Sequence, residues 1–190
     1  MKIVLASASP RRRELMAMLG VQDLVVLPAK GEENCPEESG PGETVIALSA
    51  AKAAEVSALC AEEDLVIGAD TIVWAEGRKL GKPHTEDEAR EMLRLLSGKT
   101  HEVYTGVTVM KGENVISEYE VSEVTFRSLS EREIEAYVNS GDPMDKAGAY
   151  GIQGKAALFV RKIQGDYYNI MGLPLCRLGE MLKKQGVNLL

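Results

Sequence analysis

The chain has 190 residues, 45% of them hydrophobic, which is enough to bury a core of its own in one domain or in one domain with two lobes. Its formal net charge of −7 argues against a protein that binds DNA or RNA polymers, because such binding needs a broad basic face. Three scattered cysteines and two histidines, with no CxxC pair, argue against a disulfide framework and against a zinc site.

The start of the chain resembles a secretion signal only briefly. Its apolar run at residues 3–6 is far shorter than the roughly 7–15 residues that such a signal needs, and three arginines follow at 11–13. No run approaches the ~18 apolar residues of a membrane-spanning helix. With the cysteines interpreted as reduced thiols, we expect a cytoplasmic protein with one domain over residues 1–190 and no membrane partner.

The predicted strands and helices alternate along the chain. Short apolar or β-branched runs predict strands at residues 2–6, 24–27, 64–74, 101–110, 115–126 and 157–163. Apolar residues at helical spacing, bounded by capping residues, predict helices from Pro10 to Gly20, Thr44 to Ala61, Thr85 to Gly98, Ser130 to Gly141 and from Pro174 onward. Met18 and Leu59 are placed on the inward faces of the first two helices, and 28–42 and 141–154 are expected to be irregular. Alternation with one inserted hairpin predicts a mixed α/β sheet.

Three arginines, Arg11 to Arg13, follow Ser9-Pro10, an N-cap residue and a first-turn proline. Cations in a first helical turn oppose the partial positive charge of the exposed N–H groups, at about 0.3–1 kcal/mol each. A bound anion would reverse the sign, and a phosphate group suits both the N–H groups and the bidentate arginines. The alternative is that the arginines extend into solvent and pair with Glu14 or other acids.

Two charged residues stand at apolar positions. Asp70 interrupts the most hydrophobic run of the chain, where a carboxylate is unfavourable unless a cation, a metal or hydrogen bonds meet it. It is either a functional acid at the end of a strand or a structural acid paired with a lysine. Lys52 lies on the apolar stripe of its helix between Leu48 and Val56, and the alternative is that it only extends its ammonium to solvent.

Three loop positions are further candidates. Lys82 stands between a glycine and a proline in "LGKPH", which restricts its backbone, and the alternative is a surface lysine. Gln153, in "GIQG", carries an amide that could donate to one atom of a base and accept from the next, or bond its own backbone. Glu32 and Glu33 are a solvated loop pair or, less expectedly, metal ligands.

Several familiar signatures are absent. The sequence contains no GxGxxG, no GxSxG and no HExxH, and Gly98-Lys99-Thr100 lacks the upstream glycine of a Walker loop because position 93 is leucine. By motif, the chain is therefore not a P-loop NTPase, a Rossmann dehydrogenase, an α/β-hydrolase or a zincin.

The motifs that remain resemble one family over nearly the whole chain. These are "SASPRRREL" (7–15), "GADT" (68–71), "LGKP" (80–83), "EMLRLLSGKTHEVYTGV" (91–107), "DKAGAYGIQG" (145–154) and "GDYYNIMGLPL" (165–175). In this order they resemble the Maf family of nucleoside triphosphate pyrophosphatases. The resemblance implies an α/β fold with a mixed, twisted sheet flanked by helices, like that of inosine triphosphate pyrophosphatases, with two lobes and a central cleft. It also implies hydrolysis of a nucleoside triphosphate to monophosphate and pyrophosphate with Mg²⁺ or Mn²⁺.

The resemblance also implies roles for single residues. The acid of "GADT", Asp70, is similar to the family's proton acceptor, and Glu33 is the better match to its acidic metal-binding pair. Arg12, Thr71 and Gln153 resemble members that act on dTTP and UTP, and the 7-methyl-GTP group differs there. An amide such as that of Gln153 can pair with the O4 acceptor and the N3–H donor of uracil or thymine.

Phosphoryl transfer depends on positioning and on charge placed where it develops. The other predicted site residues are therefore hydrogen-bond donors and cations that could hold the triphosphate: Ser9, Arg11, Arg12, Arg13, Lys52 and Lys82. Of these, Lys52 and Lys82 are assigned with Asp70 to the catalytic group.

Some alternatives stay open on the sequence alone. Asp70 could serve as base or as metal ligand, since a bound cation lowers its proton affinity. A nucleotide-binding regulator of cell division with little turnover is the alternative to an enzyme. Modified pyrimidine triphosphates as substrates and a homodimeric assembly also stay open.

Overall fold

The strands and helices follow the predicted alternation. In the computed structural model, which describes residues 1–21, 23–31 and 39–190, the strands are β1 (Ile3–Leu5), β2 (Val25–Val26), β3 (Leu65–Ala75), β4 (Arg78–Leu80), β5 (Thr100–Lys111), β6 (Asn114–Phe126) and β7 (Val160–Gln164). The helices are α1 (Pro10–Met18), α2 (Pro41–Ser57), α3 (Glu86–Leu96), α4 (Glu131–Val138), α5 (Tyr167–Met171) and α6 (Leu175–Lys184). Three short 3₁₀ helices, Asp142–Asp145, Ala147–Ala149 and Gly154–Leu158, lie in or next to the segment predicted to be irregular.

The described strands form one seven-stranded sheet. Its order is β2-β1-β3-β5-β6-β7, and β4 pairs with β3. β1 is parallel to both β2 and β3, whereas β4 is antiparallel to β3 and β7 is antiparallel to β6. The prediction of a mixed α/β sheet is confirmed.

One strand, β4, was not predicted and lies between the strand predicted at 64–74 and the helix predicted from Thr85. Ala75 pairs with Arg78, so Glu76 and Gly77 form a two-residue loop, with φ of 50° and 76°. Positive φ at both central residues is the geometry of a type I′ hairpin turn, which suits the twist of the strands. The "EG" pair is a weaker signal for this turn than the usual "NG" or "DG", which is why the hairpin escaped the sequence analysis.

Two apolar residues placed on inward helix faces are in fact exposed. α2 ends at Ser57, so Leu59 lies beyond it and is 72% exposed. In α1, Met18 is 61% exposed, and Arg12, Leu15 and Met16 are buried instead. Both predictions were wrong: Leu59 because the helix was predicted to continue to residue 61, and Met18 because α1 turns Arg12 inward with Leu15 and Met16.

The described chain divides into two compact units. Unit 1 comprises Met1–Asp70, Thr105–Glu120 and Gly172–Leu190, and unit 2 comprises Thr71–Tyr104 and Val121–Met171. Strands β3, β5 and β6 each contribute residues to both units. Across the described residues, no helix is both long enough and apolar enough to span a membrane. The single domain over residues 1–190 stays a prediction.

In unit 1, α2 lies with its backbone directly on two strand glycines. A Cβ atom at Gly68 would lie 2.3 Å from the Ser49 carbonyl oxygen and 2.8 Å from the Ala53 amide nitrogen. A Cβ atom at Gly106 would lie 2.1 Å from the Val45 carbonyl oxygen. Since real Cβ atoms do not approach backbone so closely, α2 can lie at this depth only over glycine.

A buried hydroxyl pair adds a polar tie to the same packing. Ser49 Oγ lies 2.9 Å from Thr108 Oγ1 and donates to the Ile46 carbonyl oxygen over 3.0 Å. Thr108 Oγ1 lies 2.9 Å from Ser117 Oγ on β6. Ser49 and Thr108 are both completely buried, so these hydrogen bonds satisfy groups that water cannot reach.

In unit 2, His101 belongs to a buried aromatic cluster. Its ring meets those of Phe126 and Tyr150 edge to face, with centroids 5.0 and 5.3 Å apart. Nε2 lies 2.7 Å from the Tyr150 hydroxyl, and Nδ1 has no hydrogen-bonding partner among the described residues. Burial lowers the pKa of His101 to about 4 and raises the pKa of Tyr150 well above its usual value, so both groups are neutral at pH 7.

We expect Gly68→Ala and Gly106→Ala each to lower the free energy of unfolding by about 1–3 kcal/mol or more, because the added methyl group pushes α2 off the sheet. Urea denaturation measures this. Gly179→Ala is the matched control, since Gly179 in α6 has nothing within 4 Å outside its own helix backbone. Variants at Gly68 and Gly106 as stable as the wild type would contradict this account of the packing.

Acid should destabilise the protein partly through His101. Between pH 6.5 and 4 the unfolded chain protonates this histidine while the folded chain keeps it neutral, so stability falls as the pH falls, by up to ~1.4 kcal/mol per pH unit. In His101→Gln this component is absent, and denaturation at several pH values should give a shallower dependence. His84→Gln, at an exposed histidine, is the control. Equal slopes for the wild type and His101→Gln would show that His101 does not contribute.

Candidate functional site

β1 ends beside the first half of β3, and the chain turns there into α1. β1 and β3 are parallel with Leu5 opposite Ile67, and the Ala6 N–H donates to the Ile67 carbonyl oxygen over 2.8 Å. Continuing this register by two residues sets Ser7 beside Ala69, one residue before Asp70. Carboxyl ends of parallel strands are the usual location of ligand sites in α/β sheets.

Among the described residues, the N-terminus of α1 has neither a side-chain cap nor an acidic residue in its first turn. Ser9 is the N-cap residue, as predicted, but its side chain makes no capping hydrogen bond in the described structure. The first turn is Pro10 followed by arginines, with no acidic residue. No acidic side chain in the first turn offsets the partial positive charge of the helix N-terminus, which favours a bound phosphate.

The three arginines of this turn have different surroundings. Arg12 is only 9% exposed. It donates from Nε to the Gly172 carbonyl oxygen over 2.7 Å and from Nη1 to Ser7 Oγ over 3.1 Å. Arg11 is half-buried and Arg13 is exposed. Arg12 thus braces the turn from inside the fold.

Ser7 connects that brace to the helix start. Its Oγ accepts from Arg12 and also from the Ser9 N–H over 3.2 Å. Ser7 is buried, so these hydrogen bonds fix the path of the chain from β1 into α1. The sequence predicts that Ser7 helps to bind a phosphate together with Ser9 and the arginines; in the structure its Oγ accepts these two internal hydrogen bonds.

Lys52 and Asp70 form an ion pair. Lys52 Nζ lies 2.5 Å from Asp70 Oδ1, and the side chains are 21% and 9% exposed. The contact of Gly68 with Ser49 sets their register, since Asp70 follows Gly68 by two residues and Lys52 follows Ser49 by three. Each charge meets the partner that a buried charge requires. The pairing agrees with the structural alternative for Asp70 and leaves the catalytic one open.

Three predicted site residues belong to unit 2. The β3–β4 hairpin pairs Val73 with Leu80. Thr71 and Lys82 each lie two residues further from the hairpin turn, Thr71 on β3 and Lys82 just after β4. The loop of Lys82 is tied to the 142–154 region, because the Gly148 N–H donates to the Gly81 carbonyl oxygen over 3.0 Å. Lys82 and Gln153 are both exposed.

The predicted metal ligands are only partly described. Glu33 lies outside the described residues, as does Glu32. Of the two Asp70 carboxylate oxygens, Oδ1 is engaged by Lys52, which leaves Oδ2 as the candidate metal ligand. Within residues 1–21, 23–31 and 39–190 no group of three or more His, Cys, Asp or Glu side chains could hold a metal ion.

Sequence reasoning missed Lys146, which contacts the segment that carries Gln153. Its side chain crosses Gly151 and is held by Asp145. The available signal was a lysine beside an aspartate in a glycine-rich segment, which by itself does not distinguish a brace from a surface residue.

Solved structures with a similar fold include a HAM1 protein from Coxiella burnetii and the Ham1 protein of Staphylococcus aureus. The first has a TM-score of 0.52 and 18% identity, and covers 97% of this chain and 99% of the other. The second has a TM-score of 0.53 and 14% identity, and covers 97% and 100%. At these identities the likeness concerns the fold alone, and it agrees with the predicted fold class.

Sequence relatives are much more similar. A protein of Bacillus cereus (strain G9842) named dTTP/UTP pyrophosphatase is 51% identical over 183 residues, covering 96% of this chain and 95% of its own. One of Bacillus thuringiensis subsp. konkukian (strain 97-27) with the same name is 50% identical over 187 residues, covering 98% and 97%. The family profile described as Maf-like protein matches residues 2–185. This chain therefore belongs to the Maf family.

Proposed function

We propose that this chain is a cytoplasmic nucleoside triphosphate pyrophosphatase. It hydrolyses the bond between the α- and β-phosphates and favours dTTP and UTP. The observation that carries the proposal is the largely buried Lys52–Asp70 pair, with Nζ and Oδ1 2.5 Å apart, in the same compact unit as the arginine-rich first turn of α1, which has no side-chain cap in the described structure. The name dTTP/UTP pyrophosphatase, borne by relatives about half identical over nearly the whole chain, supports the substrate class.

The phosphates are bound by the turn between β1 and α1. The N–H groups of the first turn of α1 donate to phosphate oxygens, and Ser9 adds a hydroxyl. Arg11 and Arg13 contribute the cationic groups, while Arg12 holds the turn in shape through Ser7 and Gly172. Lys82 is a further cation for the triphosphate. This distribution accounts for positive charge at a helix end that would otherwise repel it.

Asp70 accepts the proton of the attacking water. The water oxygen bonds to the α-phosphorus, the bond from that phosphorus to the bridging oxygen breaks, and pyrophosphate leaves. The proton passes to Asp70 and then to solvent. Lys52, donating to Oδ1, fixes the orientation of the carboxylate and offers positive charge to the phosphates beside it.

A divalent cation, Mg²⁺ or Mn²⁺, accompanies the substrate in this proposal. Carboxylate oxygens suit such hard cations, and Glu33 would hold it; Asp70 Oδ2 would join Glu33 only in the alternative in which Asp70 is a metal ligand and not the base. When bound, the cation would draw negative charge from the phosphate oxygens. The neighbouring Lys52 ammonium opposes a cation on Oδ1, so Oδ2 is the more favourable ligand atom.

The base is read by Gln153, with Thr71 and Arg12 as the other positions associated with pyrimidine preference. The Gln153 side chain is exposed and does not cap the 3₁₀ helix that follows it. One carbonyl and one NH₂ group can pair with the N3–H and O4 of uracil or thymine. The methyl group that distinguishes thymine from uracil does not enter this pairing, which is consistent with acceptance of both.

The purified protein should release pyrophosphate and monophosphate in equal amounts from dTTP and UTP with Mg²⁺ or Mn²⁺, and act less well on CTP and 7-methyl-GTP. Chromatography of the products measures both. Release of single phosphates would indicate a phosphatase instead. Tight binding of dTTP without turnover would favour the alternative, a nucleotide-binding regulator of cell division.

Asp70→Asn should lower kcat by about 10²–10⁴-fold with little change in KM, because the amide keeps the shape but cannot accept the proton. Steady-state kinetics with dTTP measures this, and thermal unfolding checks the fold. Asp87→Asn is the matched control, since that side chain is 91% exposed on α3. If Asp70→Asn kept most of its turnover while triphosphate binding fell, Asp70 would bind substrate or metal and would not be the base.

A further inference from the structure

Lys146 lies across the backbone that leads to Gln153. A Cβ atom at Gly151 would lie 2.7 Å from both Cδ and Cε of Lys146. The aliphatic part of the side chain therefore rests on Gly151, two residues before Gln153. Any residue larger than glycine at 151 would displace it.

The far end of the Lys146 side chain is also held. Its Nζ donates to the Asp142 carbonyl oxygen over 2.6 Å and to Asp145 Oδ1 over 2.5 Å. The side chain is 18% exposed. A lysine side chain on a protein surface usually samples many conformations, whereas this one is fixed at its base, along its stem and at its ammonium.

Other contacts fix the chain around Gly151, and Ile152, the residue directly before Gln153, is buried. The Gly151 N–H donates to the Tyr137 hydroxyl over 3.4 Å, and Tyr150 Oη meets His101. Ala149 is fully buried with a φ of 59°, a left-handed conformation that a non-glycine residue adopts only when its surroundings impose it. Gln153 itself is exposed, so its position depends on how firmly the residues before it are held.

We propose that Lys146 is a positioning residue that holds Gln153 for base recognition. The inference rests on the proposed base-reading role of Gln153. Lys146 acts through Gly151: its stem clamps the backbone there, and Asp142 and Asp145 keep the stem in place. Discrimination by hydrogen bonding requires donor and acceptor atoms within a few tenths of an ångström of their partners, so a loosened segment would lose it.

The competing role for Lys146 is direct contact with the phosphates. Its ammonium already meets a carboxylate and a carbonyl oxygen, which favours the positioning role. The two roles predict different behaviour toward inorganic tripolyphosphate, an anion without a base. Positioning leaves inhibition by tripolyphosphate unchanged, and a phosphate contact weakens it.

The test compares Lys146→Ala and Lys146→Met with the wild type and with Gln153→Ala. We expect Lys146→Ala to lower kcat/KM for UTP and dTTP by about tenfold or more, with the tripolyphosphate inhibition constant within about twofold. Lys146→Met keeps the stem on Gly151 and should show a smaller loss; it also carries the test if Lys146→Ala does not fold. Lys155→Ala, at an exposed lysine two residues past Gln153, is the matched control.

The double variant Lys146→Ala/Gln153→Ala decides whether Lys146 acts through Gln153. If it does, adding Lys146→Ala to Gln153→Ala lowers kcat/KM for UTP by less than about twofold. Three results would each overturn the proposal. They are an equal loss of kcat/KM when Lys146→Ala is added to the wild type and to Gln153→Ala, weaker inhibition of Lys146→Ala by tripolyphosphate, and wild-type kinetics for Lys146→Ala. If Gln153→Ala alone left the substrate preference unchanged, base reading by Gln153 and this inference would both fail, while pyrophosphate release by the wild type would still stand.

Gly151→Ala tests the contact between Lys146 and Gly151 independently. Its methyl group should push the Lys146 stem away and reproduce the loss of kcat/KM. In Lys146→Ala/Gly151→Ala the space is vacant, so the second substitution should add less than about twofold. Full activity of Gly151→Ala would contradict the clamp.

Discussion

The contact of α2 with Gly68 and Gly106 is the constraint on which the candidate site depends. Helix and strand backbones approach each other there as closely as atoms allow, because neither glycine has a side chain. That approach determines which residues of α2 face which residues of β3, and it brings the ammonium of Lys52 onto the carboxylate of Asp70. A looser packing, through a methyl group at either position, would separate two charges that are stable in a largely buried place only as a pair.

The second part of the candidate site is the turn between β1 and α1, in which the arginines have different roles. Arg12 is buried and uses its guanidinium on Gly172 and Ser7, so it shapes the turn, whereas Arg13 reaches solvent. The same kind of division occurs in unit 2, where Lys146 is engaged with Asp142 and Asp145 while Lys82 is exposed. Positive residues of one unit thus either stabilise the backbone of the candidate site or remain available for a ligand, and their burial and hydrogen bonds distinguish the two.

The sequence predicts the Lys52–Asp70 pair well and the contacts that hold the surrounding segments poorly. Asp70 and Lys52 stood out because each is charged at an apolar position, and the structure pairs them. Arg12 could not be recognised as buried, because its acceptor, the Gly172 carbonyl oxygen, is a backbone atom far away in the chain. The β3–β4 hairpin was missed because its turn uses an uncommon residue pair, and the glycine contacts of α2 were missed because no pattern of hydrophobicity records a close approach. Sequence patterns report the local preferences of a residue, whereas these contacts depend on which distant segment of the chain packs against it.

The hydrogen bond from Arg12 to Gly172 has a consequence for synthesis. The two residues are 160 positions apart, so the donor leaves the ribosome long before its acceptor exists. Contacts of such long range form late, since the intervening chain must first be ordered. A nascent or truncated polypeptide that stops short of Gly172 would carry the whole arginine turn and yet lack its internal brace. The turn therefore acquires its internal brace only after residue 172 has been added and has folded back onto the start of the chain.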